Sequence, residues 1–254
     1  MERQSTLKET IKQSGVALGI EFIGTMFMTL LFNSQVEANG ETAFVVGFWV
    51  IVMFGFKLSG AHYNPAITLA FMLRRDVGPR FPRLLGLAYI VFQMGGACVG
   101  SLLAWFFNNE PGKLSIKNDT YYFQAMISET LGAWFLVFFY LTQTEHKYKF
   151  SDDLSIQCLI IASSYVAARE MCAGPVDNAA VLNPAIGFST GLAMILTDAS
   201  HFDKIWLFPV FPFFGGLLAV AFYEFVYKKA HEVLTEEEEE EAVNHLKTAA
   251  EEDE

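Results

Sequence analysis

The tripeptide Asn-Pro-Ala occurs twice in this chain, once in each half, at Asn64, Pro65, Ala66 and at Asn183, Pro184, Ala185. The Asn side chain carries an amide that donates hydrogen bonds. Pro fixes φ near its helical value and favours the first position of a helix, and Ala continues a helix readily. Each copy is therefore predicted to cap and begin a short helix. Two helix N-termini aimed at one point would make a positive, donor-rich spot.

The elements that must position these tripeptides are apolar segments. The chain has 254 residues, of which 53% are hydrophobic, and its mean hydropathy is +0.33. Charged residues make up 18%, below the roughly 25% of globular proteins. Runs long enough to cross the roughly 30 Å hydrocarbon core of a bilayer fall at 16–33, 43–57, 84–107, 121–143, 154–170 and 204–227.

The segments that follow the tripeptides, 64–73 and 183–195, are apolar but only about half a membrane long. The pattern is three spans plus one half-helix, twice, which predicts an inverted repeat with its site at the bilayer midplane. We therefore predict an all-α membrane protein with six transmembrane helices and two re-entrant half-helices. Its repeats would span 16–107 and 121–228, between an N-terminal segment 1–15 and a tail 229–254.

Two carboxylates repeat with the same spacing pattern. Glu21 opens the first half, Glu129 opens the second, and each is followed within three residues by a glycine. An intramembrane carboxylate is expensive and usually has a function. We predict that each Glu accepts hydrogen bonds from backbone N–H groups of a re-entrant loop, with a position near the water interface as the alternative.

The charge of the chain is concentrated at its C-terminus. The formal net charge is −11, and residues 228–254 contribute three Lys and eleven Asp or Glu, which gives 3 − 11 = −8. The run 236–241 is predicted to be a solvated acidic tail or, alternatively, a dock for a protein partner. The remaining chain gives no sign of a nucleic-acid surface.

The distribution of Lys and Arg predicts the orientation, because cytoplasmic loops carry the excess of positive side chains. With six spans, the side that holds both termini carries thirteen: Arg3, Lys8, Lys12, Lys57, Arg74, Arg75, Arg80, Arg83, Lys147, Lys149, Lys228, Lys229 and Lys247. The other side carries four: Lys113, Lys117, Arg169 and Lys204. Both termini are therefore predicted on the cytoplasmic side, or in the equivalent compartment of an organelle.

These residues resemble the aquaporin, or major intrinsic protein, family across residues 15–228. The stretch 59–68 reads Ser-Gly-Ala-His-Tyr-Asn-Pro-Ala-Ile-Thr and is close to the first signature of that family. Resemblance to its third and sixth spans rests on Gln93, Gly95, Gly96, Pro212, Gly215, Gly216 and Tyr223. The resemblance implies a six-helix bundle around two half-helices, usually a homotetramer with one pore per subunit. It also implies that Asn64 and Asn183 bind water or a small neutral solute.

The resemblance also implies a constriction near the non-cytoplasmic mouth, where this chain departs from the family. An Arg usually follows the second Asn-Pro-Ala, but Ile186 stands there. The aromatic position corresponds to Phe44, and the fifth-span position to Met171 or, with a loop one residue longer, to Glu170. Without the donors and charge of a guanidinium, this constriction would be apolar, unless Arg169 or Glu170 restores polarity.

The sequence supports two hypotheses of different classes. The first is a passive channel through a lipid bilayer for water or small uncharged solutes, with Phe44 and Ile186 setting the constriction and His62 and Gln93 bracing the re-entrant loop. The second is a pore-closed structural or scaffolding membrane protein, a subunit of a larger assembly, motivated by the missing Arg and the acidic tail. The sequence carries no Gly-rich phosphate loop, His/Cys cluster or nucleophile elbow, so neither an enzyme nor a cofactor is predicted.

Overall fold

The fold is a bundle of helices of two lengths. A computed structural model describes residues 2–34, 40–75, 81–145, 149–177, 180–201 and 206–235. Six long helices are α1 (Glu2–Asn33), α2 (Gly40–Ser59), α4 (Arg83–Asn108), α5 (Tyr122–Gln143), α6 (Leu154–Met171) and α8 (Leu207–Phe222). Two short helices are α3 (Pro65–Leu73) and α7 (Pro184–Thr197). The prediction of six spans and two half-helices is confirmed.

The helix ends differ from the predicted segments at both termini of the chain. α1 begins at Glu2, so the predicted N-terminal segment continues the first span as helix. After α8 the chain passes through one π-helical turn, Tyr223–Tyr227, and stays helical to Thr235. The remainder of the acidic tail, 236–254, lies outside the described residues.

Five of the described helices are long and apolar enough to cross a membrane: Ser14–Asn33, Thr42–Ser59, Arg83–Asn108, Asp119–Gln143 and Leu207–Thr235. The remaining long helix, α6, has 18 residues and carries Arg169 and Glu170 in its last turn. These two charges lower its mean hydropathy, although it packs against α2 and α5 as a sixth member of the bundle.

The bundle has the inside-out polarity expected of a membrane protein. Along α4 the exposed positions are large and apolar, as at Leu84, Val91 and Phe106, whereas Gln93 and Ser101 are buried. Apolar side chains can face lipid without cost, so the polar side chains are left to face one another inside. The interior of the bundle is therefore the place to look for a site.

Glycines set the distance between the paired helices of each repeat. A Cβ at Gly96 on α4 would lie 2.1 Å from the carbonyl oxygen of Phe22 on α1, and a Cβ at Gly215 on α8 would lie 2.3 Å from that of Thr130 on α5. Phe22 and Thr130 directly follow Glu21 and Glu129. The two halves thus repeat the same close helix crossing, which small residues permit, and this confirms the internal repeat.

Candidate functional site

Both Asn-Pro-Ala tripeptides form helix caps, as predicted. Asn64 and Asn183 are the N-caps of α3 and α7, in extended conformation, and a proline occupies the first turn of each helix. The Oδ1 of Asn64 accepts from the N–H of Ala66 at 2.8 Å, and that of Asn183 accepts from Ala185 at 3.0 Å. Each cap satisfies a helix N–H that would otherwise lack a partner at membrane depth.

The amide nitrogens of the two caps reach across to the opposite half. The Nδ2 of Asn64 donates to the carbonyl oxygen of Leu182 at 2.9 Å, and the Nδ2 of Asn183 donates to that of Tyr63 at 2.9 Å. Each acceptor is the residue directly before the other asparagine. An amide nitrogen carries two hydrogens, and this exchange uses one hydrogen of each asparagine. Each asparagine therefore keeps a second hydrogen. The second hydrogen of Asn183 faces the sulfur of Met28, with Nδ2 and Sδ 3.7 Å apart.

Tyr63 and Leu182 make this exchange possible through an uncommon backbone conformation. Their φ angles are +49° and +58°, in the left-handed region that non-glycine residues rarely adopt. Such a conformation costs about 1–3 kcal/mol and persists where its surroundings determine it. Here it points the N–H of each residue to a buried carboxylate and its C=O to the opposite asparagine.

Those carboxylates belong to Glu21 and Glu129, both fully buried. Glu129 accepts from the N–H groups of Val181 and Leu182, each at 2.7 Å. Glu21 accepts from the N–H groups of His62 at 3.0 Å and Tyr63 at 2.8 Å. The structure therefore places both carboxylates against re-entrant backbone inside the bundle.

The first loop has additional support that the second lacks among the described residues. Glu21 also accepts from Ser59 Oγ at 2.6 Å and from Gln93 Nε2 at 2.7 Å. Because Gly96 and Gly215 occupy equivalent crossings, Gln93 on α4 corresponds to Pro212 on α8, which has no side-chain donor. Gln93 Nε2 is also 2.8 Å from Thr68 Oγ1 on α3, so one side chain joins the carboxylate to the half-helix.

His62 lies within the same support. Its Nδ1 is 3.1 Å from Thr68 Oγ1, and its ring packs against those of Phe71, Phe81, Tyr89 and Tyr140 at centroid distances of 4.9–5.5 Å. The side chain is buried. These contacts support the expectation that His62 braces the loop.

A cavity of about 260 Å³ opens beside the first re-entrant loop. Its walls include Gly60, His62, Tyr140, Glu145 and Lys149. Glu145 is held by Arg74 at the end of α3, with Nη2 and Oε2 2.9 Å apart. The cavity is thus a partly charged vestibule beside the first re-entrant loop, on the side predicted to be cytoplasmic.

The second half-helix is anchored by a cluster of small polar side chains. Asn33 Nδ2, at the end of α1, donates to Thr190 Oγ1 on α7 at 3.0 Å. Ser101 Oγ on α4 donates to Ser189 Oγ on α7 at 3.0 Å. These bonds fix α7 against α1 and α4, two of the three long helices of the first repeat, and sequence inspection had not singled them out.

The residues predicted to form the constriction are only partly brought together. Phe44 and Ile186 are fully buried. The Phe44 ring stacks on that of Tyr165, with centroids 5.4 Å apart. Glu170 and Met171 instead have exposed side chains, and Met171 is 62% exposed.

At the fifth-span position the structure favours Arg169 over both predicted alternatives. Arg169 is 1% exposed, and its guanidinium lies 4.6 Å from the centroid of the Phe44 ring. It was counted with the non-cytoplasmic loop charges in the sequence, but it belongs to the interior of the bundle. The signal for it was present: an arginine inside an otherwise apolar helix.

The position after Ile186 cannot hold a side chain. A Cβ at Gly187 would lie 2.6 Å from the carbonyl carbon of Phe208, where α7 meets the start of α8. An acidic side chain at this position would collide with that backbone. Among the described residues, no group of three or more His, Cys, Asp or Glu is placed to hold a metal ion.

Comparison with known proteins agrees with this geometry. Residues 21–223 match the family model described as major intrinsic protein. A probable aquaporin TIP2-2 of Oryza sativa subsp. japonica is 29% identical over 182 residues, covering 71% of this chain and 68% of that protein. Aquaporin-1 of Pongo abelii is 30% identical over 231 residues, covering 83% and 81%.

A solved structure shares the fold. The X-ray structure of the aquaglyceroporin from Plasmodium falciparum superimposes with a TM-score of 0.70 at 19% identity, covering 87% of this chain and 99% of that one. With the family model matching most of the chain and the two half-helices meeting at their asparagines, the chain belongs to the major intrinsic protein family.

Proposed function

We propose that this chain is a passive channel that lets water and small uncharged solutes cross a membrane through a pore between its two halves. The observation that carries the proposal is the exchange between the asparagines and the opposite carbonyls. It holds both amides in fixed positions and consumes only one hydrogen of each. The second hydrogen of Asn64 is available to orient a solute that carries an oxygen acceptor, and that of Asn183 becomes available when a solute oxygen replaces the weak acceptor Met28 Sδ.

The half-helices also set the electrostatics of this path. The N-termini of α3 and α7 meet at the asparagines, and each carries roughly half a positive charge. A cation at this point would face two positive ends, whereas a neutral solute would receive hydrogen bonds. Pro65 and Pro184 begin these helices, and Ala66 and Ala185 allow the close approach. The transport needs no cofactor and no coupling to an energy source.

Orientation and assembly are part of the proposal. The Lys and Arg count supports cytoplasmic termini, and burial of Arg169 lowers the count on the opposite side from four to three. The family resemblance supports a homotetramer with one pore in each subunit. The acidic tail would lie in the cytoplasm, where it could meet a protein partner.

A pore-closed scaffold is the second candidate, and one observation favours it. Phe44 and Ile186 are inaccessible to a water-sized probe, and the guanidinium of Arg169 covers the Phe44 ring. A path blocked at this level would conduct nothing, and the protein would then serve as a structural subunit of a membrane assembly.

Reconstitution of the full chain into liposomes distinguishes the two candidates. Stopped-flow light scattering would measure shrinkage in an osmotic gradient, first with an impermeant solute and then with glycerol or urea. A channel would shrink faster than empty liposomes. Flux equal to empty liposomes, from folded protein whose incorporation has been verified, would contradict the channel and leave the scaffold.

The variant Asn183→Asp tests the asparagines themselves. Asp keeps the oxygen that caps Ala185 but removes both amide hydrogens and adds a charge. We expect water flux to fall by about fivefold to tenfold, since a lost hydrogen bond is worth about 1–1.5 kcal/mol and about 1.4 kcal/mol corresponds to a factor of ten. The matched control is Asn108→Asp at the exposed end of α4, where the amide donates only to the Asn33 carbonyl. Equal flux in both variants would contradict the role of Asn183.

A further inference from the structure

Arg169 is the largest fully buried side chain among the described residues, and it lies in the last turn of α6. A guanidinium inside the membrane is expensive, and ionisable residues at such depth usually face a cavity and mark the path of a solute or ion. The two residues that follow, Glu170 and Met171, are exposed. In this turn of the helix, Arg169 and the neighbouring Ala168 are the residues that face the interior.

Three aromatic rings from three helices surround the guanidinium. Its carbon lies 4.8 Å from the ring centroid of Phe32 on α1, 4.6 Å from that of Phe44 on α2 and 5.9 Å from that of Tyr165 on α6. Tyr165 in turn donates from its hydroxyl to the carbonyl oxygen of Val181, in the second re-entrant loop, at 2.6 Å. The guanidinium therefore sits beside the loop that delivers Asn183.

We propose that Arg169 determines the specificity of the pore, supplying from α6 the positive charge and the hydrogen-bond donors that Ile186 cannot supply from α7. This inference rests on the proposed channel function. In the proposed channel Phe44 forms one wall of the constriction, and Arg169 reaches its ring from α6, which packs against α2. Any solute that passes between α2 and α6 at this level must pass the guanidinium.

The chemistry of a guanidinium defines the permeants that this arrangement admits. It offers five N–H donors and a permanent charge, so it favours neutral molecules with oxygen acceptors and repels metal cations and protons. Packed on Phe44, it also fills space that a shorter side chain would leave open. The arrangement predicts passage of water in preference to glycerol, together with exclusion of cations.

A structural role is the competing explanation for the burial. The charge of Arg169 acts electrostatically on the buried Glu129 carboxylate, so the arginine could serve only as its counter-charge. Selectivity separates the two explanations, because a counter-charge would change stability without changing which molecules pass.

The test compares full-length variants in proteoliposomes, with water and glycerol flux measured by light scattering and proton leak measured by an enclosed pH-sensitive dye. Arg169→Met keeps much of the length and removes charge and donors. We expect proton leak to rise by about tenfold or more, because the repulsion between two unit charges a few ångströms apart exceeds the energy equivalent to a factor of ten. We expect glycerol flux to rise as well, because methionine leaves open part of the space that the guanidinium fills. In the double variant Arg169→Met, Ile186→Arg, a guanidinium from α7 should restore the exclusion of protons.

The matched control is Arg75→Met. Arg75 also covers an aromatic ring, that of Phe225 at 4.9 Å, but it is exposed at the end of α3. It should leave both fluxes unchanged. Equal glycerol flux and proton leak in the wild type and in Arg169→Met would overturn the proposal, as would the same leak in Arg75→Met.

Two further outcomes remain decisive. If Arg169→Met does not fold, Arg169→Lys retains the charge and loses the planar stack. A changed ratio of glycerol to water flux would then support the proposal, and an unchanged ratio would overturn it.

If the wild type conducts no water, the channel function fails separately. In that case, water flux through Arg169→Met would still place Arg169 in the constriction. No water flux through Arg169→Met would exclude Arg169 from that position.

Discussion

The crossing of α1 and α4 at Gly96 gives a prediction that joins packing to transport. In the variant Gly96→Ala the new Cβ would lie 2.1 Å from the Phe22 carbonyl oxygen, whereas ordinary contacts begin at 3.4 Å. The helices must therefore separate by about 1.3 Å. Phe22 adjoins Glu21, whose hydrogen bonds from the first re-entrant loop, Ser59 and Gln93 span 2.6–3.0 Å. A shift of this size would break at least one of them.

The expected cost combines two terms. Overpacking costs about 1–3 kcal/mol, and each hydrogen bond to a charged group contributes about 1.5–3 kcal/mol. The two terms together come to about 2.5–6 kcal/mol, which would lower the apparent Tm of a chain of this size by roughly 5–24 °C. Water flux should fall as well, because Glu21 holds the N–H of Tyr63, whose carbonyl fixes Asn183.

The assay is thermal unfolding in detergent followed by stopped-flow flux. Its control is the neighbouring Gly95→Ala, where the new Cβ would meet only the Phe22 ring at 3.3 Å, and a ring can move. Both variants gain the same helix propensity from alanine, so the difference between them isolates the backbone contact. An equal Tm for Gly96→Ala and Gly95→Ala would refute the reasoning.

Two other substitutions test the second half of the molecule. Glu129→Gln should destabilise the protein by about 1–3 kcal/mol, because the amide replaces one carboxylate oxygen by NH₂ and leaves one loop N–H unsatisfied. The exposed control Glu110→Gln should not change the unfolding temperature. Equal unfolding temperatures of the two variants would contradict this role of Glu129. Gly187→Asp should abolish folded protein on size-exclusion chromatography, since its Cβ would lie 2.6 Å from the Phe208 backbone, whereas Gly174→Asp, with open space around it, should elute like the wild type.

Much of the site could be predicted because its parts repeat in the sequence. The two tripeptides, and the two Glu residues each followed by a nearby glycine, are local patterns with a local physical meaning. Capping by Asn64 and Asn183 and burial of Glu21 and Glu129 follow from that meaning. The repeat also indicated that these residues meet at one place, since matching interrupted segments lie at the interface of inverted halves.

The contents of the constriction could not be predicted in the same way. The fifth-span position was found by counting back from Asn183 through a loop whose length differs from the usual one, and a change of one residue turns a helix position by about 100°. Counting therefore led to Glu170 and Met171, which are exposed, while the neighbouring Arg169 is buried. The left-handed Tyr63 and Leu182 were also missed, because neither residue type signals a positive φ.

The reciprocal bonds between Asn64 and Leu182 and between Asn183 and Tyr63 have a consequence for biosynthesis. The partner of the Asn64 amide lies 118 residues further along the chain. At about 5–20 residues per second, the ribosome needs roughly 6–24 s to make that distance. During that interval the first re-entrant loop can bind the Glu21 carboxylate, but Leu182 and Asn183 have not yet been made. The reciprocal bonds between the two halves can therefore form only after the second half has been inserted.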